Sequence, residues 1–187
     1  MFPLIRSLPI LAACALAGTL AEARGTPEPA AAKAPDVRIE TQVAVDAKSM
    51  TPARFVAPES GVYRLTIRSG AFRYLPEGQK PPSPYDGWLT KVEVFKNKPV
   101  AWGAPDEWGK HPVGADGSVG VDDRLPTRAQ AEAAAREAAF TVELEKGQEL
   151  LFLVSDGSDW YGDNVGSVTI GISAEIPQSV EETPEDT

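Results

Sequence analysis

Gly61-Val62-Tyr63-Arg64-Leu65-Thr66-Ile67-Arg68-Ser69-Gly70 is the stretch that decides the fold. Apolar side chains stand at 63, 65 and 67 and polar ones at 64, 66 and 68. That two-residue period belongs to a strand with one face in a core and the other in water. The turn residues Pro58-Glu59-Ser60-Gly61 open the strand and Ser69-Gly70 close it. Working outward, Val37 and Ile39, then Val43 and Val45, mark one or two opening strands. The period returns from Trp88 to Lys96, with Val92 and Val94 inward, and at Phe140, Val142 and Leu144, closed by Glu145-Lys146-Gly147-Gln148. It returns again at Val168, Ile170 and Ile172, whereas Leu150 to Val154 is apolar throughout, which suits a strand covered on both faces. Short strands at regular spacing without βαβ alternation predict an all-β chain, a single jelly-roll-like β-sandwich of about 7–8 strands. One short inserted helix interrupts it. Thr127-Arg128-Ala129-Gln130 is a capping box opening an alanine-rich run to Ala139, read as decoration in a loop.

The composition bounds what such a sandwich does. The chain has 187 residues, enough for one domain with appendages. Its 18 Lys+Arg against 27 Asp+Glu leave a net charge of −9, which argues against a nucleic-acid partner and against an anionic lipid surface. Its 17 prolines and 16 glycines argue against a helical bundle. Residues 1–23 have the layout of a secretory signal: Arg6, an uncharged run from Leu8 to Leu20, and Ala21-Glu22-Ala23 before the cut. A second reading stays open, because Leu11-Ala12-Ala13-Cys14 resembles a lipobox that would anchor a lipoprotein through Cys14. With cleavage after Ala23 the mature chain has no cysteine, hence no disulfide and no thiol nucleophile. Residues 24–36 read as an Ala/Pro-rich tether, 37–175 as the sandwich and 176–187 as a disordered acidic tail. No later run approaches the roughly 18 apolar residues of a membrane span. The expected location is the periplasm or the outside of the cell.

One loop carries chemistry. Ser155-Asp156-Gly157-Ser158-Asp159-Trp160-Tyr161-Gly162-Asp163-Asn164-Val165-Gly166-Ser167 places three carboxylates and a carboxamide between two strands. Carboxylates so close repel unless water or a cation separates them. Two readings follow: a solvated acidic turn, or a site for Ca²⁺, which takes oxygens from carboxylates, amides and backbone carbonyls in flexible geometry. The spacing is not that of an EF-hand.

The segment resembles the second calcium-binding loop of the PA-I-type galactophilic bacterial lectins, small calcium-dependent β-sandwiches. The order in those lectins is matched by Asp156, Trp160, Tyr161-Gly162, Asp163-Asn164 and Gly166. Their tyrosine-carbonyl motif is matched by Gly70-Ala71-Phe72-Arg73-Tyr74-Leu75-Pro76. The resemblance implies Ca²⁺ held by the side chains of Asp156, Asp163 and Asn164 and the main-chain carbonyls of Tyr74 and Trp160. It further implies a sugar completing the metal shell through two neighbouring hydroxyls, with Asp156, Gly157, Asp163, Tyr161 and Tyr85 lining the sugar. Trp160, Tyr161, Tyr85 and Phe72 are the rings available to cover a pyranose face. The family's tetrameric habit would make the protein a homo-oligomer. Two departures stand out. Asp163 replaces an amide, and the Leu75–Asp86 connection is short, proline-rich and free of histidine, while the sole histidine, His111, lies in a later loop.

The expectation is therefore an exported, calcium-dependent carbohydrate-binding protein and not an enzyme. The alternative is an envelope structural or interaction domain that keeps the sandwich, and the ion or not, without sugar binding. Asp106-Glu107 and Asp122-Asp123 are the pairs that offer an acid and a base, but adjacent strand residues point to opposite faces.

Overall fold

A computed structural model describes residues 37–74 and 86–177. The signal segment 1–23 with Cys14, the tether 24–36, the Leu75–Tyr85 connection and residues 178–187 lie outside the described residues. In chain order come β1 (Val37–Asp46), β2 (Ala53–Val56), β3 (Gly61–Arg73), β4 (Val92–Lys96), β5 (Ala101–Trp102), β6 (Pro112–Val113) and β7 (Gly117–Val119). Then follow α1 (Arg128–Ala134), continued by a 3₁₀ turn at Ala135–Glu137, β8 (Ala139–Leu144), β9 (Glu149–Leu153) and β10 (Val165–Ile176).

Eight of these strands form two four-stranded sheets, in the orders β1-β10-β3-β8 and β2-β9-β4-β7, and every pairing is antiparallel. The alternation at Tyr63, Leu65 and Ile67 is realised: these side chains are buried while Arg64 and Arg68 are exposed. They meet Phe55, Val92, Val94, Leu150, Phe152, Ile170 and Ile172 in one core between the sheets. The all-β sandwich read from the periodicity is the observed architecture.

Several boundaries differ from the sequence reading. The opening residues form one ten-residue strand, with Val37 opposite Ile176. Ile176 is thus a strand residue, buried and packed against Gly61, rather than the first residue of a tail. β3 does not stop at Ser69-Gly70 but runs on to Arg73. The register with β10 shifts between Ile67 and Ser69, leaving Arg68 without a partner, and pairing then runs from Ser69 opposite Thr169 to Arg73 opposite Val165. Just past the bulge, Gly70 takes a left-handed φ of 85° opposite Val168, where a Cβ would lie 2.2 Å from the Ser167 carbonyl oxygen. This extension delivers the end of β3 to the acidic loop.

The capping box forms: Thr127 Oγ1 accepts from the Gln130 N–H, and Gln130 Oε1 accepts from the Thr127 N–H. The helix is more than decoration, because Ala131 and Ala135 are fully buried and Glu132 accepts a hydrogen bond of 3.1 Å from the Gly70 N–H. Glu132→Ala is expected to destabilise the protein by about 1 kcal/mol, leaving the Gly70 amide unpaired. A urea midpoint unchanged from wild type would show that the helix does not hold the strand beside the bulge.

The segment between β4 and β7 builds a third, small layer. β5 and β6 pair as a two-stranded ribbon, and Val100, Trp102 and Ala115 pack with Phe95, Leu153 and Tyr161 in a second apolar cluster. Phe95 and Leu153 point away from the main core, so β4 and β9 are covered on both faces, as the apolar run Leu150–Val154 required.

Candidate functional site: a cradle of unpartnered oxygens at the rim

The loop from Ser155 to Asn164 connects the end of β9 to the start of β10 at the sandwich rim. Its course is set by hydrogen bonds. Asp156 Oδ1 accepts from the Gly157 N–H at 2.7 Å, the Trp160 N–H donates to the Gly157 carbonyl at 2.9 Å, and the Asp163 N–H donates to the Trp160 carbonyl at 3.1 Å. A 3₁₀ turn over Tyr161–Asp163 then feeds Asn164 into the interior, where it is fully buried. The Asn164 side-chain amide donates to the Ala47 carbonyl at 2.9 Å, which aims Oδ1 the other way.

The charge arrangement follows. Among the described residues, four buried side-chain nitrogen or oxygen atoms have no hydrogen-bond partner: Asp156 Oδ2, Asp163 Oδ1, Asn164 Oδ1 and Arg73 Nε. Three of the four are acceptor oxygens of one loop, on the three residues expected to supply side-chain ligands. A buried acceptor left without a donor costs free energy, and native proteins keep few of them. Desolvation pushes the Asp156 carboxyl above the ordinary carboxylate range, against the Gly157 N–H, the neighbouring Asn164 carboxamide, His111 and Arg124, which pull it down. Desolvation also pushes Asp163 up, and the Asp156 charge adds to it. The Asn164 carboxamide is close enough to influence Asp156, yet Asp156 Oδ2 and Asn164 Oδ1 both stay unpartnered.

Tyr74 arrives from β3. Arg73 pairs with Val165, so Tyr74 and Asn164 are the next residues beyond the last rung of the β3–β10 ladder. The Tyr74 hydroxyl crosses to the loop and donates to the Ser155 carbonyl at 2.9 Å, while the Arg124 guanidinium lies 4.8 Å above its ring. The Tyr74 phenol is raised by burial. The two motifs separated in sequence by some eighty residues thus meet at one rim.

Other expected contacts fall elsewhere. Tyr161 is 3% exposed, its hydroxyl donates to the Val154 carbonyl, and its ring packs edge-on to Trp102 at 6.2 Å. It is a core residue, so its ring has no face for a sugar, and that expectation is corrected. Phe72 is fully buried in the main core and is corrected likewise. Gly157 is buried with its Cα against the Trp108 main chain, where it serves the loop's packing. Tyr85 lies outside the described residues. Asp106 sits beside His111, with Oδ2 and Nε2 3.3 Å apart, and Asp122 pairs with Lys91 at 3.3 Å.

Sequence reasoning missed the part played by residues 106–110. The Asp106–Gly109 turn docks on the loop: the Lys110 N–H donates to Ser158 Oγ and the Ser158 N–H to the Lys110 carbonyl, both at 2.9 Å. It carries Trp108 to Trp160, with ring centroids 5.1 Å apart. The run Trp108-Gly109-Lys110-His111 has no periodicity to betray this.

The donor set suits a hard cation. Two carboxylates, a carboxamide oxygen and nearby main-chain carbonyls are the oxygen ligands Ca²⁺ takes. No group of three or more His, Cys, Asp or Glu side chains converges as a metal site among the described residues, so a cation here would depend on the Asn164 oxygen and main-chain carbonyls beside the two carboxylates. The fold is an antiparallel β-sandwich whose β9–β10 loop carries three buried oxygens without hydrogen-bond partners. No protein-family model matches the chain, and no curated protein matches it. Among solved structures it is similar to AJLec from the sea anemone Anthopleura japonica, a lectin, at 15% identity, covering 76% of this chain and 97% of that one with a TM-score of 0.37. At that level the likeness transfers no residue and no ligand, and membership of the PA-I-type bacterial family is not shown.

Proposed function

We propose that this chain is an exported, non-catalytic carbohydrate-binding protein whose rim loop holds one Ca²⁺. The observation that carries the proposal is the set of unpartnered buried oxygens on Asp156, Asp163 and Asn164. A sequence can satisfy such acceptors with donors, and this one instead aims the Asn164 oxygen inward by tying its amide nitrogen to Ala47. Asp156, Asp163 and Asn164 would hold the ion through side chains, and Tyr74 and Trp160 through main-chain carbonyls. The Trp160 carbonyl already accepts from the Asp163 N–H and keeps a second lone pair. When bound, Ca²⁺ would supply coordination positions that two neighbouring sugar hydroxyls can fill in place of water. Asp156 and Asp163 would accept hydrogen bonds from those hydroxyls, and single-site affinity would be modest, with useful strength coming from several sites together.

The test is retention of the full chain on beads coated with galactose or mixed glycans in Ca²⁺, followed by release with a chelator. Chelator-released retention supports the reading. A chelator-sensitive melting temperature without retention favours the structural alternative, in which the ion only stabilises the fold.

A further inference from the structure

Trp160 is the one large aromatic side chain that stands exposed among the described residues, at 40%. It sits in the middle of the metal-loop sequence, three residues before Asp163, whose N–H binds the Trp160 carbonyl. A singly exposed aromatic is ordinary on a protein surface; what marks this one is that it is braced and lies in the loop carrying the unpartnered oxygens of Asp156, Asp163 and Asn164. The brace is specific. Trp108 meets Trp160 at 5.1 Å with a tilt of 54° between the rings. Trp108 is itself positioned by the Asp106–Gly109 turn, in which Asp106 Oδ1 accepts from the Trp108 N–H at 2.8 Å and Gly109 takes a φ of 94°. Two hydrogen bonds between Lys110 and Ser158 lock that turn to the loop. Gly157 completes the fit, because a Cβ there would fall 1.9 Å from the Trp108 carbonyl oxygen.

We propose that Trp160, braced by Trp108, is the stacking platform of the site, selecting a saccharide ring that offers an unbroken apolar face beside the pair of hydroxyls that meets the metal. The inference rests on the calcium-dependent reading above and names the element that reads the ring. The chemistry is complementary: the loop oxygens address the polar edge of a pyranose, and the indole face addresses its C–H face. Pre-organisation by the Asp106–Lys110 turn removes the ordering cost a lone surface tryptophan would carry.

The experiment uses the full chain as wild type, Trp160→Ala and Trp160→Phe. Each is measured for its Ca²⁺-induced rise in melting temperature and for retention on beads bearing galactose, mannose, fucose or N-acetylglucosamine. Trp160→Ala is expected to keep the Ca²⁺ response, since the carbonyl ligand is main-chain, while its retention weakens about tenfold, the size of a lost aromatic stack. Trp160→Phe should recover part of that loss. Retention of Trp160→Ala equal to wild type overturns the platform, as does a calcium response in wild type with none of the four sugars retained. A wild type with no calcium response sinks the underlying reading, and the platform with it.

Discussion

Saturating Ca²⁺ is expected to raise the melting temperature of the metal-free protein at pH 7 by roughly 5–10 °C. A ligand at a hundred times its Kd stabilises by about 2.7 kcal/mol, and a domain of this size moves by roughly 2–4 °C per kcal/mol. The sharper expectation is a sign inversion. Asp156→Asn removes a desolvated carboxylate and with it the charge that raises Asp163. Without metal, this variant should melt at least ~2 °C above wild type, and it should gain nothing from Ca²⁺. A residue with a purely structural role would show the opposite pattern, lower stability with or without the ion.

The pH dependence has the same origin. The folded carboxyls of Asp156 and Asp163 lie above the ordinary carboxylate range because burial, and for Asp163 the Asp156 charge, penalise ionisation. A raised carboxyl contributes stability that is fully present below its unfolded value, near 3.9, and is lost as pH rises through the folded value. The metal-free protein therefore loses these two contributions as pH rises from the ordinary carboxylate value through the raised folded ones. Ca²⁺ binds the deprotonated pair, so the gap between loaded and metal-free melting curves should widen as pH rises through that window. Taking the gap isolates the site, since groups remote from it contribute equally to both curves. A gap that narrows with rising pH contradicts the account.

Gly157→Ala is expected to damage the site and the fold together. The added methyl would meet the Trp108 carbonyl oxygen at 1.9 Å, and the obstacle is main chain, so no rotamer change relieves it. Either the Asp106–Lys110 turn lifts off the loop, breaking both hydrogen bonds between Lys110 and Ser158, or Asp156 is displaced with its neighbour. The cost should fall at the upper end of the ~1–3 kcal/mol of an overpacked interior, with a reduced Ca²⁺ response. Gly162 is the control in the same loop: nothing lies within 4 Å of a Cβ there, so Gly162→Ala should stay near wild type. Equal melting temperatures for the two variants would show that the turn and the loop are not packed as described.

What the sequence disclosed and what it hid have separable causes. Alternation at Tyr63–Ile67 and Val168–Ile172 was legible because a half-buried strand writes its two environments into successive residues. The β5–β6 ribbon was not, since two-residue strands carry no period. Gly70 was misread as a stop because a glycine that ends a strand and one that bends it look alike in sequence. Tyr161 reads as a rim aromatic because it lies inside the acidic loop, but the 3₁₀ turn rotates it inward onto Phe95 and Leu153. Crowded carboxylates mark the Ser155–Ser167 loop from the residues alone, whereas singling out Asp156, Asp163 and Asn164 within it rests on the resemblance. Tyr74, just past the end of β3, is likewise named only by the resemblance, because a carbonyl is carried by every residue and leaves no mark in sequence.

Calorimetric titration of the metal-free full chain with Ca²⁺ at pH 7, run beside Asp156→Asn, addresses the cradle most directly. The account predicts one saturable site per chain in the wild type and no binding heat in the variant. A wild type that takes up no Ca²⁺, or an Asp156→Asn chain that binds it as well as the wild type, would contradict it.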